Sequence, residues 1–314
     1  MEKINNYSFI FVLIVLLLAP SIFTEFQTYL LTYGLVMAIA SIALNLLLGY
    51  TGLMSFGHGM FIGTGAYTVA LMAKYAGINT LELMIPLGIV FSAALAAFVG
   101  LFCTRQIEIY FSMLTLAFGE LLFVICSKFY ETTGGTDGIH IENAPLFGHV
   151  FKESAETYYL VLTFTILSIF VMRLITKSPF GMAIQATRDN EVRMGYLGLM
   201  VMKFRLIAFI ISGAFTGLAG VLLVTLTGHA VPELFQVGAS ITLVLMVILG
   251  GHTTFYGPAV GAMVFVFLQS WLQPLFFWQF FLGAAIVILV IFLPGGVLGG
   301  IKLWTAKLMI RKSS

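Results

Sequence analysis

The sequence predicts an all-α polytopic membrane protein, and three observations carry that prediction. Of its 314 residues, 60% are hydrophobic and only 9% charged, where soluble domains carry about 25% charged residues. Apolar runs close to the length of a bilayer-crossing helix recur from end to end. The basic residues gather between particular runs, which gives the chain a direction across the membrane.

About ten transmembrane helices are expected, at 8–24, 29–48, 58–73, 83–103, 111–130, 158–176, 204–228, 235–250, 257–271 and 275–293. The first imitates a signal peptide, with Lys3, an apolar run and Pro20. It is read as a retained helix because further spans follow at once. The runs at 58–73, 235–250 and 257–271 are short for a bilayer that asks about 20 residues of a helix. Short, glycine-interrupted segments are tolerated where they are buried in protein or line a cavity.

Ten spans that start inside place Lys3, Arg105, Arg173, Lys177, Arg188, Arg193, Lys203, Arg205, Lys302, Lys307, Arg311 and Lys312 in the cytoplasm. Only Lys74, Lys128 and Lys152 fall outside, as the positive-inside rule asks. The acids lean the other way, with Glu25, Glu82, Glu131, Asp137, Glu142, Glu153, Glu156 and Glu233 outside. Both termini are then cytoplasmic, and 1–314 reads as a single transmembrane domain. Its long loops are an acidic external one, 131–157, and a basic cytoplasmic one, 177–203.

Several chemistries have no residues to run them. Cys103 and Cys126 both lie in apolar runs, and the five histidines are scattered, so no metal site is read. No Gly-x-x-x-x-Gly-Lys-Ser/Thr phosphate loop occurs, so any ATP hydrolysis belongs to another chain. Gly57-His-Gly-Met-Phe-Ile-Gly63 has the outline of a nucleotide fingerprint, but no strand precedes it. No nucleophile, base or metal constellation converges, so the chain is not read as an enzyme.

The cytoplasmic loop is the richest segment. Ser178-Pro179 starts a helix, with Ser178 as cap and Pro179 at the first position. Phe180, Ala183, Ile184 and Thr187 share one face. Arg188-Asp-Asn-Glu191 breaks the pattern, Val192, Tyr196 and Leu199 suggest a second short turn, and Gly195 and Gly198 allow tight bends. Such a helix presents anchors to a partner's groove or lies on lipid. Interleaved acids and bases favour the partner.

At membrane depth, Tyr50-Thr-Gly-Leu-Met-Ser-Phe-Gly-His-Gly59 joins two spans. Its glycines break the helix, and Thr51, Ser55 and His58 supply polar groups beside Gly52 and Gly57. Unwound backbone there offers carbonyls and amides to a zwitterionic solute, or it is a tight turn that serves packing alone. Leu249-Gly-Gly-His-Thr-Thr-Phe-Tyr-Gly257 echoes this stretch. Glu120 is an acid inside a span, which has to face the bundle interior or water. Asn45 is read as interhelical glue or as part of the solute path. In Thr133-Gly-Gly-Thr-Asp-Gly138 the glycines Gly134 and Gly135 permit a backbone nest, with Thr136 and Asp137 at an external entrance or in a structural loop.

These motifs carry a resemblance. Ser178-Pro-Phe-Gly181, Ala186-Thr-Arg-Asp-Asn-Glu191, Gly195-Tyr-Leu-Gly198, Ser212-Gly-Ala-Phe-Thr-Gly-Leu-Ala-Gly220, Asn45 to His58 and Thr133 to Gly138 resemble the permease subunits of branched-chain amino-acid ABC importers, of the LivM type. The likeness runs from about residue 30 to the last span. It departs at Phe292-Leu-Pro-Gly295, where the family usually has a basic residue after the proline.

The resemblance implies a type II-like ABC importer permease in the cytoplasmic (inner) membrane that moves branched-chain, hydrophobic amino acids. Related permeases for urea or short amides look similar, and a stand-alone ion-coupled transporter is the reading from outside the family. It further implies a homologous second permease, two cytoplasmic ABC ATPases that use ATP and Mg, and an external solute-binding protein. No cofactor is expected in this chain. Pro179, Phe180, Gly181, Arg188, Asp189, Asn190, Glu191, Gly195 and Gly198 would form the ATPase-coupling segment. Asn45, Thr51, Gly52, Ser55, Gly57, His58, Glu120, Gly135, Thr136 and Asp137 are the substrate-path candidates.

Overall fold

The computed structural model describes residues 15–106, 108–141, 145–146, 154–293 and 295–300. Lys3, Glu142, Lys152, Glu153, Pro294, Lys302, Lys307, Arg311 and Lys312 lie outside them, as does the first part of the expected 8–24 span.

Helices form wherever the chain is apolar, because backbone in hydrocarbon has only itself to bond with. α1 (Glu25–Asn45) opens on a capping box: the Thr24 hydroxyl accepts from the Gln27 N–H, and the Gln27 side chain accepts from the Thr24 N–H. It is followed by α2 (Gly59–Leu71), α3 (Leu81–Cys103), α4 (Glu108–Lys128) and α5 (Ser154–Lys177). Two short helices, α6 (Pro179–Asp189) and α7 (Glu191–Tyr196), lead into α8 (Val201–Thr227). α9 (Val237–Gly250), α10 (Gly257–Leu272) and α11 (Trp278–Phe292) complete the bundle. Its sheet among the described residues is one antiparallel pair, β1 (Ile139–His140) on β2 (His229–Ala230), with Ile139 opposite Ala230 and His140 opposite His229.

The expectation of about ten full spans narrows. Among the described residues six segments are long and apolar enough to cross a membrane: Glu25–Thr51, Leu81–Cys103, Glu108–Lys128, Ser154–Lys177, Val201–Thr227 and Trp278–Gly300. α2, α9 and α10 sit where spans were expected but have only 13, 14 and 16 residues. Glycine-rich breaks at 52–58 and 251–256 cut them short.

Burial ranks the helices. The apolar window of Glu25–Thr51 is 83% buried and that of Val201–Thr227 72%, against 12% for Trp278–Gly300. α1 and α8 therefore form the centre, and α11 lies at the edge with its apolar side chains outward. Small residues let the backbones meet: Gly65 lies on Gly217, Gly220 on the Ile62 carbonyl and Gly261 on Gly250.

The two ends of the bundle carry opposite charge. Among the described residues the end that holds α6 and α7 has Arg105, Arg173, Lys177, Arg188, Arg193, Lys203 and Arg205 against Glu108, Asp189 and Glu191. The far end has Lys74 and Lys128 against Glu25, Glu82, Glu131, Asp137, Glu156 and Glu233.

Candidate functional site

α6 and α7 form an island at the basic end. Ser178 caps α6 by accepting the Gly181 N–H at 3.3 Å, and exposed Pro179 takes the first position, where no N–H is needed. Gly181 is buried against the Thr176 carbonyl, with no room for a Cβ. Asn190 ends α6 and caps α7, its Oδ1 accepting from the Arg193 N–H at 2.9 Å. Gly195 lies in open space, and Gly198 turns the chain with a φ of +76° before α8.

One face of the island is committed to the bundle. Phe180 stacks on Phe204, with ring centres 5.9 Å apart. Ile184 and Thr187 are buried behind it. The Glu191 carboxylate takes both ends of the Arg205 guanidinium at 2.8 and 3.1 Å. Arg188 donates from Nη1 to the Gly49 carbonyl.

The exposed surface of the island mixes apolar and charged side chains. Tyr196 is 87% exposed and Leu197 73%, and Val192 on α7 and Met182 on α6 are exposed as well. Asp189 is exposed as well. The shared face of Phe180, Ala183, Ile184 and Thr187 read from the sequence exists, but it looks inward. Val192 and Tyr196, read from the sequence as marking a second short turn, are exposed on α7, whereas the exposure of Met182 and Leu197 was not read.

Beneath the island the first helix break runs from Asn45 to His58. α1 continues as a wider π-type turn, Leu46–Thr51, in which the Thr51 hydroxyl donates to the Leu47 carbonyl at 2.7 Å. Gly52 takes a left-handed φ of +77°, and the chain then runs without helix until α2. Gly57 rests directly on the Thr115 carbonyl of α4, a contact that excludes any side chain. The Gly59 N–H donates to Ser240 Oγ of α9 at 2.8 Å. The break is thus wired to α4 and α9.

His58 is fully buried. Its Nε2 lies 3.0 Å from Ser212 Oγ and 2.9 Å from Thr216 Oγ1, both on α8. Ser212 gives its proton to the Ala43 carbonyl, so its oxygen accepts from His58, which assigns the Nε2–H tautomer. Nδ1 is then a bare acceptor. Asn45 Oδ1, Ser55 Oγ and His58 Nδ1 are all buried without a partner among the described residues. Such orphans are uncommon and costly, so each marks a place where a donor fits.

Glu120 of α4 reaches the start of α9. Its Oε1 accepts the Val237 N–H at 2.8 Å, and Val237 is the first residue of α9. A carboxylate there meets the positive end of the helix dipole. The Gly134–Gly138 loop sits at the far end, with Gly135 buried and Thr136 and Asp137 exposed. Lys74 and Tyr75 hold the preceding turn through the Glu131 carbonyl at 3.0 and 2.8 Å. The substrate-path candidates therefore divide: Asn45 to His58 lie in the centre, Glu120 braces α9, and Gly135 to Asp137 lie at the far end. Among the described residues no group of three or more His, Cys, Asp or Glu could hold a metal ion.

The second break, 251–256, adjoins the first. A Cβ on Gly49 would lie 2.5 Å from the His252 carbonyl. Arg173 at the end of α5 sits over the Tyr256 ring at 5.1 Å. Burial, and after it the Arg188 charge, lowers the His252 imidazole below its ordinary value of 6.5.

A family model described as "Branched-chain amino acid transport system / permease component" matches residues 27–293. The chain is 29% identical to the "High-affinity branched-chain amino acid transport system permease protein LivM" of Salmonella typhimurium (strain LT2) and to its namesake in Escherichia coli (strain K12). Each match covers 95% of this chain and 76% of the relative. A "Probable branched-chain amino acid transport permease protein LivM" of Methanocaldococcus jannaschii is 27% identical over 74% of this chain and 76% of its own. No solved structure matches.

Proposed function

This chain belongs to the branched-chain amino acid transport system permease family, and from that premise we propose that it is one permease subunit of an ATP-driven importer of branched-chain amino acids. A homologous permease completes the pathway, two cytoplasmic ATPases that use ATP and Mg bind below, and a solute-binding protein delivers substrate from outside. The protein resides in the cytoplasmic membrane with its basic end inward, which agrees with the charge difference between the two ends.

The observation that carries this reading is the outward face of the island. Exposed apolar side chains on a short helix pair favour a protein or membrane contact; Met182, Val192, Tyr196 and Leu197 are such side chains, and the charged residues interleaved among them favour the protein partner. The chain has no phosphate loop of its own, so a hydrolysing partner at this face supplies the energy. Asn45, Ser55 and His58 present orphan acceptors along the break. Their chemistry suits the ammonium of an amino acid once rocking of the two permeases opens the interior.

Tyr196→Ala combined with Leu197→Ala tests the reading. Co-purification of the ATPases and ATP-dependent leucine uptake in proteoliposomes should both fall about 10-fold or more, while the chain stays monodisperse in detergent. Intact co-purification in that variant overturns the reading. So does leucine uptake by the purified chain alone, driven by an ion gradient.

A further inference from the structure

The island touches more than a partner. Gly49 lies in the last turn of the α1 helix unit, where carbonyls lose their intrahelical partners. The Gly52 and Leu53 N–H groups both turn back to the Leu47 carbonyl, passing over Gly49. The Gly49 oxygen is filled from outside, by the guanidinium of Arg188. A cation at the negative end of a helix is favoured electrostatically as well as by the hydrogen bond.

Arg188 also lies along the break. Its Cγ is 3.2 Å from where a Cβ of Gly52 would sit, at the residue whose left-handed turn begins the unwound run. The same charge reaches His252 in the second break. α6 as a whole also packs on the Leu46–Thr51 turn, and the island's other side-chain attachments lead elsewhere. Phe180 and Glu191 hold it to Phe204 and Arg205 of α8, and Gly181 holds it to the end of α5.

The geometry points to Arg188 as a positioning residue that transmits displacement of the island to the first helix break. It rests on the reading of the island as the ATPase dock. A partner that shifts α6 pulls on the Gly49 carbonyl and on the Gly52 turn, at the head of the run that ends in His58. Arg188, though exposed, therefore spends its guanidinium on the Gly49 carbonyl and not on the partner's groove. Its loss separates nucleotide hydrolysis from transport instead of preventing assembly.

The test uses the full transporter reconstituted in proteoliposomes with its binding protein, comparing wild type, Arg188→Ala, Arg188→Gln and Arg188→Lys. The expected result is normal co-purification of the ATPases, continued ATP hydrolysis, and leucine moved per ATP reduced about 10-fold in the Ala variant. Arg188→Lys recovers part of that ratio, and Arg188→Gln less. A ratio within about twofold of wild type in Arg188→Ala overturns the proposal. So does loss of ATPase binding equal to that of the Tyr196–Leu197 variant, which would make Arg188 a docking residue.

Hydrogen exchange on the purified chain alone provides a second readout that needs no partner. Residues 46–58 should exchange faster in Arg188→Ala and Arg188→Gln than in wild type, with 208–224 of α8 unchanged. Equal exchange at 46–58 overturns the proposal. Failure of the wild-type complex to bind ATPases at all would instead count against the function proposed above.

Discussion

The two helix breaks look alike in sequence and behave differently in structure. Leu48 to Gly57 and Leu249 to Gly257 share glycines at both ends and a polar middle. The first opens into seven residues outside helix, 52–58, and is joined to its surroundings by specific bonds: Gly59 to Ser240, His58 to Ser212 and Thr216, Gly49 to Arg188. The second folds on itself, its Thr254 N–H and hydroxyl both donating to the Gly251 carbonyl at 3.2 Å. Outward it meets the Arg173 charge over Tyr256, packs the Gly251 backbone on Gly295 and Gly296, and brings His252 against Gly49 and the Arg188 charge. The first break is a junction where α1, α2, α4, α8, α9 and the island meet, and the second is a buttress behind it.

Substitutions can break that contrast. The largest effect is expected at Gly57, where Gly57→Val would drive a side chain into the Thr115 carbonyl. Backbone cannot yield as a flexible side chain can, so the variant should give almost no folded protein by size-exclusion chromatography in detergent. A monodisperse yield near wild type would show that the break is looser than described.

Next in size is His58→Ala. It removes the bonds to two hydroxyls of α8 and leaves a void, which together should lower stability by about 2–4 kcal/mol, read as a fall in thermal midpoint in detergent. His252→Ala, in the half-buried second break, should fall much less. Equal losses would erase the distinction between junction and buttress.

The smallest effect is a pH dependence of the second break. The folded value of His252 lies below the 6.5 of the unfolded chain. Its neutral form therefore adds stability that is complete above pH 6.5 and is lost as the pH falls from there toward the lowered value. Thermal melts of wild type should weaken over that range more than those of His252→Gln. The facing charge is Arg188 of the island, with Arg173 nearby over Tyr256, so Arg188→Ala should reduce the difference only in part, burial being the larger cause. Parallel melts of wild type and His252→Gln across this pH range would remove His252 as the source.

Local signals were legible in the sequence. Ser178-Pro179 predicted the start of α6, and the apolar runs at 83–103, 158–176 and 257–271 became Leu81–Cys103, Ser154–Lys177 and Gly257–Leu272. These depend on neighbours a few residues away. The destinations of polar side chains were not legible, because their partners are remote. Arg188 meets a carbonyl 139 positions distant, and Glu120 an N–H 117 positions distant. Periodicity put Phe180 and Ile184 on one face but carried no information on whether that face meets the bundle or a partner. That was decided by Phe204, which the island reaches only after the chain has turned back.

The clamp of Phe180 on Phe204 and of Glu191 on Arg205 has a consequence for assembly. Ordering a side chain or loop at the moment of association typically takes about 0.5–1.5 kcal/mol per immobilised side chain from the affinity. Here the island is held by contacts within its own chain. Under the proposed function an ATPase would meet a finished shape, and the encounter would resemble a key entering a cut lock more than two strands knitting together. Subunits of the proposed complex could then join, part and rejoin without this chain having to refold.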